Sequence, residues 1–318
     1  VRRSLFFGVQ VIVAASVLYF AWRTLSEQWT AARLAGLSWH VSWRWLALSA
    51  LLVLSAYALL IEAWRNVVRE WQESDNRHFA FATAARIWFV SNLGRYVPGK
   101  VWQIGAMGVM AHRAGVSPLV ATGSSILVNL VALTAGAGVV AVTGSSLFSE
   151  TPIVWVGLVF AVMAIVVAPR LTRPLARLAS IVLRRDIAPP NLPERATWFA
   201  ALASAVAWVL YGMAFWALAR GAGLQAGSNV VPYIAAFTAS YLLGYVTVFA
   251  PGGIVVREAA LVALANQLRL MSGGEALLLA VASRLWLTIL EIVPGTVLLA
   301  VAGLSAEKQR NITNDDAS

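Results

Sequence analysis

Runs of about twenty apolar residues recur along this 318-residue chain, near 4–22, 45–64, 117–142, 197–219 and 274–302. A helix of about 20 such residues spans the ~30 Å hydrocarbon core of a bilayer, whereas barrel strands are about ten residues long and alternate in polarity. Charged residues make up only 12% of the sequence against roughly 25% in soluble domains, and the mean hydropathy is +0.75. These features predict an all-α polytopic membrane protein.

Two of the apolar regions are interrupted. The first break is Ser91-Asn92-Leu93-Gly94-Arg95-Tyr96-Val97-Pro98-Gly99-Lys100-Val101-Trp102-Gln103, inside an arm pair covering about 79–113. The second is Phe249-Ala250-Pro251-Gly252-Gly253-Ile254-Val255-Val256-Arg257-Glu258, inside 229–270. Pro and Gly stop a helix, and backbone freed within lipid must be satisfied by protein or by water in a cavity. The expected fold is therefore about six transmembrane helices plus two re-entrant Pro-Gly hairpins.

Taken in order, the chain divides into a first span with an interfacial segment (1–44) and a first membrane unit (45–142). A linking span and an Arg-rich linker follow (143–196), then a second membrane unit (197–303) and a polar tail (304–318). Residues 65–78 read as a charged loop. The linker carries Arg170, Arg173, Arg177, Arg184, Arg185 and Arg195 against Asp186 and Glu194, which places it in the cytoplasm by the positive-inside rule. Counting spans from it puts both termini in the cytoplasm of a bacterial-type inner membrane. It also makes the two hairpins enter from opposite faces. Span, hairpin, span thus occurs twice with opposite polarity, the pattern of an inverted repeat around a midplane site.

The breaks carry the candidate site. A helix that starts after each Pro-Gly presents unpaired N–H groups and a partial positive charge, which suits phosphate. Arg95, Lys100 and Arg257 add full charges, and Asn92 and Gln103 can hydrogen-bond a head group. The blander reading is that Arg95 and Lys100 snorkel to a surface. Glu258 either neutralises Arg257, pairs with Arg95 or Lys100, or binds a proton or cation to drive transport. Arg284 and Glu291, seven residues apart on one helix face, read as a structural ion pair or polar wall, and Asn129 as glue between helices. Arg86 lines a cavity or lies near the inner interface.

Several chemistries lack their residues. There is no cysteine, the three histidines are scattered, and no metal site or catalytic motif is found. The net charge of +10 reflects membrane topology and anionic lipid rather than nucleic-acid binding. No cofactor is expected, and the oligomeric state is unspecified.

At Gly94-Arg95-Tyr96-Val97-Pro98-Gly99-Lys100 and Pro251-Gly252-Gly253-Ile254-Val255-Val256-Arg257-Glu258 the chain resembles the transmembrane region of lysylphosphatidylglycerol synthases, a flippase-like family with standalone members. The resemblance carries Pro98, Gly99, Lys100, Pro251, Gly252, Gly253 and Glu258 over as site residues; Val255 departs from the family's usual Gly. It implies transfer of an anionic or modified phospholipid, or a polyprenyl-linked glycan, between leaflets. It also implies no synthesis of lysyl-lipid by this chain, because about 16 polar residues follow the last span. The alternative is a non-transporting subunit that holds or regulates a lipid-modifying or glycosyl-transferring enzyme.

Overall fold

The computed structural model describes residues 41–72, 79–93, 101–144, 194–246 and 256–315, with the side chains of 101–104, 246 and 299–315 left out. The described residues form eight helices and no strand. They are α1 (Trp43–Trp71), α2 (Phe81–Leu93), α3 (Val101–Arg113), α4 (Pro118–Thr143), α5 (Glu194–Gly221), α6 (Val231–Val246), α7 (Val256–Gln267) and α8 (Gly273–Asp315). Four are long and apolar enough to cross a membrane: α1, α4, α5 and the Gly273–Leu298 part of α8. The protein is an all-α, multi-pass membrane protein.

The central packing is α1 on α5, running antiparallel. Alanines at 196, 200, 203, 207, 214 and 217, with Ser204, Gly212 and Gly221, give α5 small buried side chains. Small residues let helix backbones approach closely in a membrane, where no hydrophobic force drives helices together. A Cβ at Gly221 would sit 2.6 Å from the Leu46 side chain, and one at Gly212 only 2.4 Å from the Ile234 backbone. So α5 is gripped by α1 on one side and by α6 on another. A three-helix polar bridge adds direction: Trp286 Nε1 donates to Ser49 Oγ (3.1 Å), and Ser49 Oγ donates to the Ala214 carbonyl (2.8 Å).

Turn contacts fix which helix ends share a face. The Ser42 amide donates to the Gly221 carbonyl, and the Gln225 amide faces the Glu275 carboxylate. Hence the start of α1, the end of α5, the start of α6 and the start of α8 lie together. At the other end of α1, Gln72 donates to the Gly115 carbonyl and Arg65 to the Phe79 carbonyl. The end of α3 and the start of α2 lie there. The pair α2–α3 therefore begins and ends on one face, and α6–α7 begins and ends on the opposite one.

A wider regularity follows from which helices pack together. Exchange α1 with α5, α2 with α6, α3 with α7 and α4 with α8. Most helix–helix packings among the described residues then map onto another: α1–α2 onto α5–α6, α2–α8 onto α6–α4, α3–α4 onto α7–α8, with α1–α5 mapping onto itself; the exception is α4, which packs far more closely on α5 than α8 does on α1. The ends of α2 and α6 illustrate it. Leu93 packs against Gly295 of α8, and Leu242 against Gly136 of α4.

One sequence expectation is corrected here. Residues 65–71 are helix, not loop. Val67 and Val68 are buried, and Glu62 accepts two hydrogen bonds from Arg65 one turn on, so the charged stretch is stabilised as helix. The final helix runs on to Asp315, through the expected polar tail. The expected first span, the interfacial segment, the 143–151 loop with the span after it, and most of the Arg-rich linker lie outside the described residues.

Candidate functional site

Arg257 and Glu258 occupy the first turn of α7. Their approach to α6 depends on Gly244: a Cβ there would meet the Arg257 Cβ at 2.8 Å. Seated in this notch, Arg257 lays its guanidinium over Tyr241 (4.8 Å to the ring centroid) and Phe237 (5.4 Å). Its Nη2 reaches Ser283 Oγ on α8 at 3.5 Å, a long contact at the limit of a hydrogen bond. Among the described residues no carboxylate hydrogen-bonds Arg257. Its sequence neighbour Glu258 turns to α8 instead and accepts a 2.7 Å hydrogen bond from Arg284 Nη1.

The depth of this cluster follows from α8. Arg284 lies eleven residues along the candidate span that begins at Gly273, about 16 Å at 1.5 Å per residue. That is near the middle of a ~30 Å hydrocarbon core. The twelve-residue α7 is about 18 Å long, too short to cross that core by itself.

Energetics make Arg257 notable. Taking an ion out of water costs several kcal/mol even after relaxation, while a desolvated cation–π contact returns about 2 kcal/mol. A cation in a helix's first turn is also on the unfavourable end of the dipole, whereas Glu258 there is on the favourable one. Arg257, Glu258 and Arg284 together carry one net positive charge. A site so composed can receive an anion through the guanidinium; the Ser283 hydroxyl already donates to the Ala280 carbonyl (2.7 Å).

The chain of rings behind Arg257 runs across the molecule. Phe237 and Tyr241 touch Tyr211 and Trp208 of α5 (6.1 and 5.3 Å), Tyr211 touches Tyr57 of α1 (6.0 Å), and Tyr57 touches Trp88 of α2 (5.1 Å). Beside it a small crevice is lined by Ser49, Tyr211, Phe215, Phe237, Ser283 and Trp286.

The residues expected from sequence are distributed as follows. Arg257, Glu258 and Arg284 converge. Arg284 bonds Glu258 in place of the expected Arg284–Glu291 pairing, because Glu258 on the first turn of α7 faces α8 at the level of Arg284. The Glu258 carboxylate is therefore not closed onto Arg257 alone; the expected partners Arg95 and Lys100 lie outside the described residues. Glu291 is buried two turns beyond Arg284 on α8, one turn from Gly295, where α8 meets the end of α2. Asn92 is buried in the last turn of α2. Asn129 does not bridge helices: its side chain is exposed and donates to the Ser125 carbonyl of its own helix. Arg86 is on the exposed side of α2. Gln103 lies in the first turn of α3. Arg95, Pro98, Gly99, Lys100, Pro251, Gly252 and Gly253, and the side chain of Gln103, lie outside what the structure describes.

Sequence reasoning missed Phe237, Tyr241, Gly244 and Ser283. Their signal was available: 237, 241 and 244 fall at i, i+4 and i+7 of one helix face. Two aromatics ending in a glycine on the arm before a Pro-Gly break mark a seat for a side chain from the arm after it.

Compared with known families, the chain matches the lysylphosphatidylglycerol synthase TM region over residues 7–295. It belongs to that family. The lysylphosphatidylglycerol synthase TM region is a membrane region and not a catalytic domain, and the match takes in both Pro-Gly breaks and the whole α6–α7–α8 cluster. No curated protein matches the chain.

Proposed function

We propose that this member of the family is a translocator that moves an anionic or modified phospholipid, or a polyprenyl-linked glycan, between leaflets, and that it is not an enzyme. The observation that carries this reading is Arg257, a cation at mid-depth held on two aromatic faces, with no hydrogen-bonded carboxylate among the described residues. A head-group charge cannot cross hydrocarbon cheaply. A fixed positive group half-way lowers that barrier while the acyl chains stay in lipid.

The packing supports a path from both sides. The two short-helix pairs start from opposite faces, and most of the helix pairings recur when the two halves are exchanged. Inverted repeats with broken helices at the midplane are a transporter architecture. On this reading the Pro-Gly breaks are re-entrant tips, with Asn92, Arg95, Lys100 and Gln103 serving the head group from one side and Arg257 from the other. The site faces the inner membrane's lipids, with both termini in the cytoplasm.

The test is reconstitution in liposomes with a tail-labelled phospholipid and a membrane-impermeant quencher. Wild-type protein is expected to expose inner-leaflet label at a rate above empty vesicles, and Arg257→Gln to return that rate to background. Rates equal to empty vesicles for every anionic lipid overturn the reading. Cellular function that survives Arg257→Gln and Lys100→Gln but is lost on charge reversal in residues 169–196 selects the regulatory-subunit alternative.

A further inference from the structure

At the face where α5 ends and α6 and α8 begin, a second arginine is left open. Arg220, in the last turn of α5, packs its guanidinium on Trp216 (4.5 Å to the ring centroid) and on Trp45 of α1 (5.1 Å), and those two rings meet edge to face. The ring contacts fix its position but use none of its five N–H donors. Among the described residues one acceptor meets them: the Gly227 carbonyl, at a long 3.4 Å from Nη2, and that oxygen takes a better bond from Trp216 Nε1 at 2.8 Å. The Arg220 Nε is buried with no hydrogen-bond partner, a state in which folded proteins leave few polar groups. Glu275 is the one acidic residue among 41–48, 216–233 and 264–277, and it is taken up by the Ser272 amide and hydroxyl and by the Gln225 amide. There is room at this turn: Gly227 is exposed, and a Cβ on it would meet nothing within 4 Å. The openness is not imposed by the packing. Arg65, near the other end of the matching helix α1, is closed by two bonds to Glu62 (2.8 and 2.7 Å) and one to the Phe79 carbonyl (3.0 Å).

We propose that Arg220 is a surface site for the phosphate of an anionic lipid, separate from the mid-depth cluster. Its level follows from the turn it borders: Gln225 bonds Glu275, and Arg284 lies nine residues beyond Glu275 on α8, about 14 Å deeper at 1.5 Å per residue. Arginine meets a phosphate through two parallel N–H···O bonds, a fit that the single Gly227 carbonyl oxygen does not offer. Tryptophans gather at the head-group level of a bilayer, so Trp45, Trp216 and the exposed Trp43 put the guanidinium at the depth of lipid phosphates. That depth favours a lipid over a free anion. The plainer alternative is a tryptophan–arginine anchor in the interfacial belt, which has no preference for negative head groups. The site does not need Arg257; its use as a waypoint for lipid passing to or from mid-depth rests on the translocator reading above.

The experiment reads the site by its position in the chain. Full-length protein in phosphatidylcholine nanodiscs receives a trace of phosphatidylglycerol or phosphatidylcholine, each with the same diazirine at the glycerol end of one acyl chain. Cross-linked peptides are mapped by mass spectrometry, in wild type and in Arg257→Gln. In both proteins the phosphatidylglycerol probe is expected to label 41–46 and 216–229 about tenfold more than the phosphatidylcholine probe, the order of one charged hydrogen bond. Arg220→Gln should remove that excess. So should Gly227→Leu, which keeps Arg220 and the tryptophans and fills the space at the turn. Equal labelling by the two probes in wild type overturns the proposal in favour of the interfacial anchor, and no variant has to fold for that outcome. An excess that persists in monodisperse Arg220→Gln or Gly227→Leu also overturns it. Inorganic phosphate that erases the excess at constant ionic strength shows a soluble-anion site and overturns the lipid assignment. An excess lost in Arg257→Gln makes the two arginines one site and overturns their separation. Labelling as expected in a protein that moves no lipid in liposomes keeps the surface site and removes the translocator, so the two failures are told apart.

Discussion

At the scale of single residues, the arginine at position 257 is held more by shape than by charge. Its Cβ occupies the notch that the missing side chain of Gly244 leaves. Gly244→Ala keeps every charge in place yet must push α7 away from α6, lifting the guanidinium off Tyr241 and Phe237. Phosphatidylglycerol binding in nanodiscs is expected to fall at least several-fold in that variant, approaching Arg257→Gln. Binding equal to wild type contradicts the seat. Gly105→Ala is the control: nothing lies within 4 Å of a Cβ there, so folding and binding should be unchanged. Glu258 makes a second residue-scale point. Its sequence neighbour was an obvious partner, but α7's first turn aims the two side chains differently, and the carboxylate finds Arg284 twenty-six residues on.

The helices themselves show what was readable beforehand. Long apolar runs such as 117–142 and 197–219 announce α4 and α5, because hydropathy over about 20 residues is all that a span requires. The convergence of Arg257, Glu258 and Arg284 was half legible: each stood out as a charge in an apolar stretch, but their pairing depends on how α7 leans on α8, which no local pattern states. The charged stretch at 65–71 misled because charge alone suggests a loop, while the Glu62–Arg65 pair and the buried Val67 and Val68 make it helix. Asn129 misled through the habit of reading any intramembrane amide as a bridge. Its bond to Ser125, four residues back, satisfies it within α4. The grip between α5 and α6 yields a stability prediction. Gly212→Ala places a Cβ against backbone and not a movable side chain, so it should cost about 1–3 kcal/mol and lower the unfolding temperature in detergent by several degrees. Ser49→Ala interrupts the Trp286–Ser49–Ala214 bridge and should cost about 1 kcal/mol. An unfolding temperature equal to wild type in Gly212→Ala contradicts the close packing.

For the molecule as a whole, the two halves share one packing scheme and differ in chemistry. Among the described residues the α7–α8 seam holds an ion pair and the α3–α4 seam does not. Sidedness can be tested directly, since the chain has no cysteine of its own. Arg113→Cys lies on the exposed end of α3 and Gly227→Cys in the turn before α6, where a Cβ meets nothing within 4 Å. An impermeant maleimide should label the two from opposite faces of the membrane; labelling from the same face refutes the arrangement of helix ends. The most direct measurement of the central claim is an experimental density map of the protein in phosphatidylglycerol nanodiscs. The account predicts a lipid phosphate within hydrogen-bond distance of the Arg257 guanidinium at mid-depth, with its tails leaving toward the bilayer. Arg257 bonded to a carboxylate, with ordered lipids confined to the outer perimeter, would contradict it.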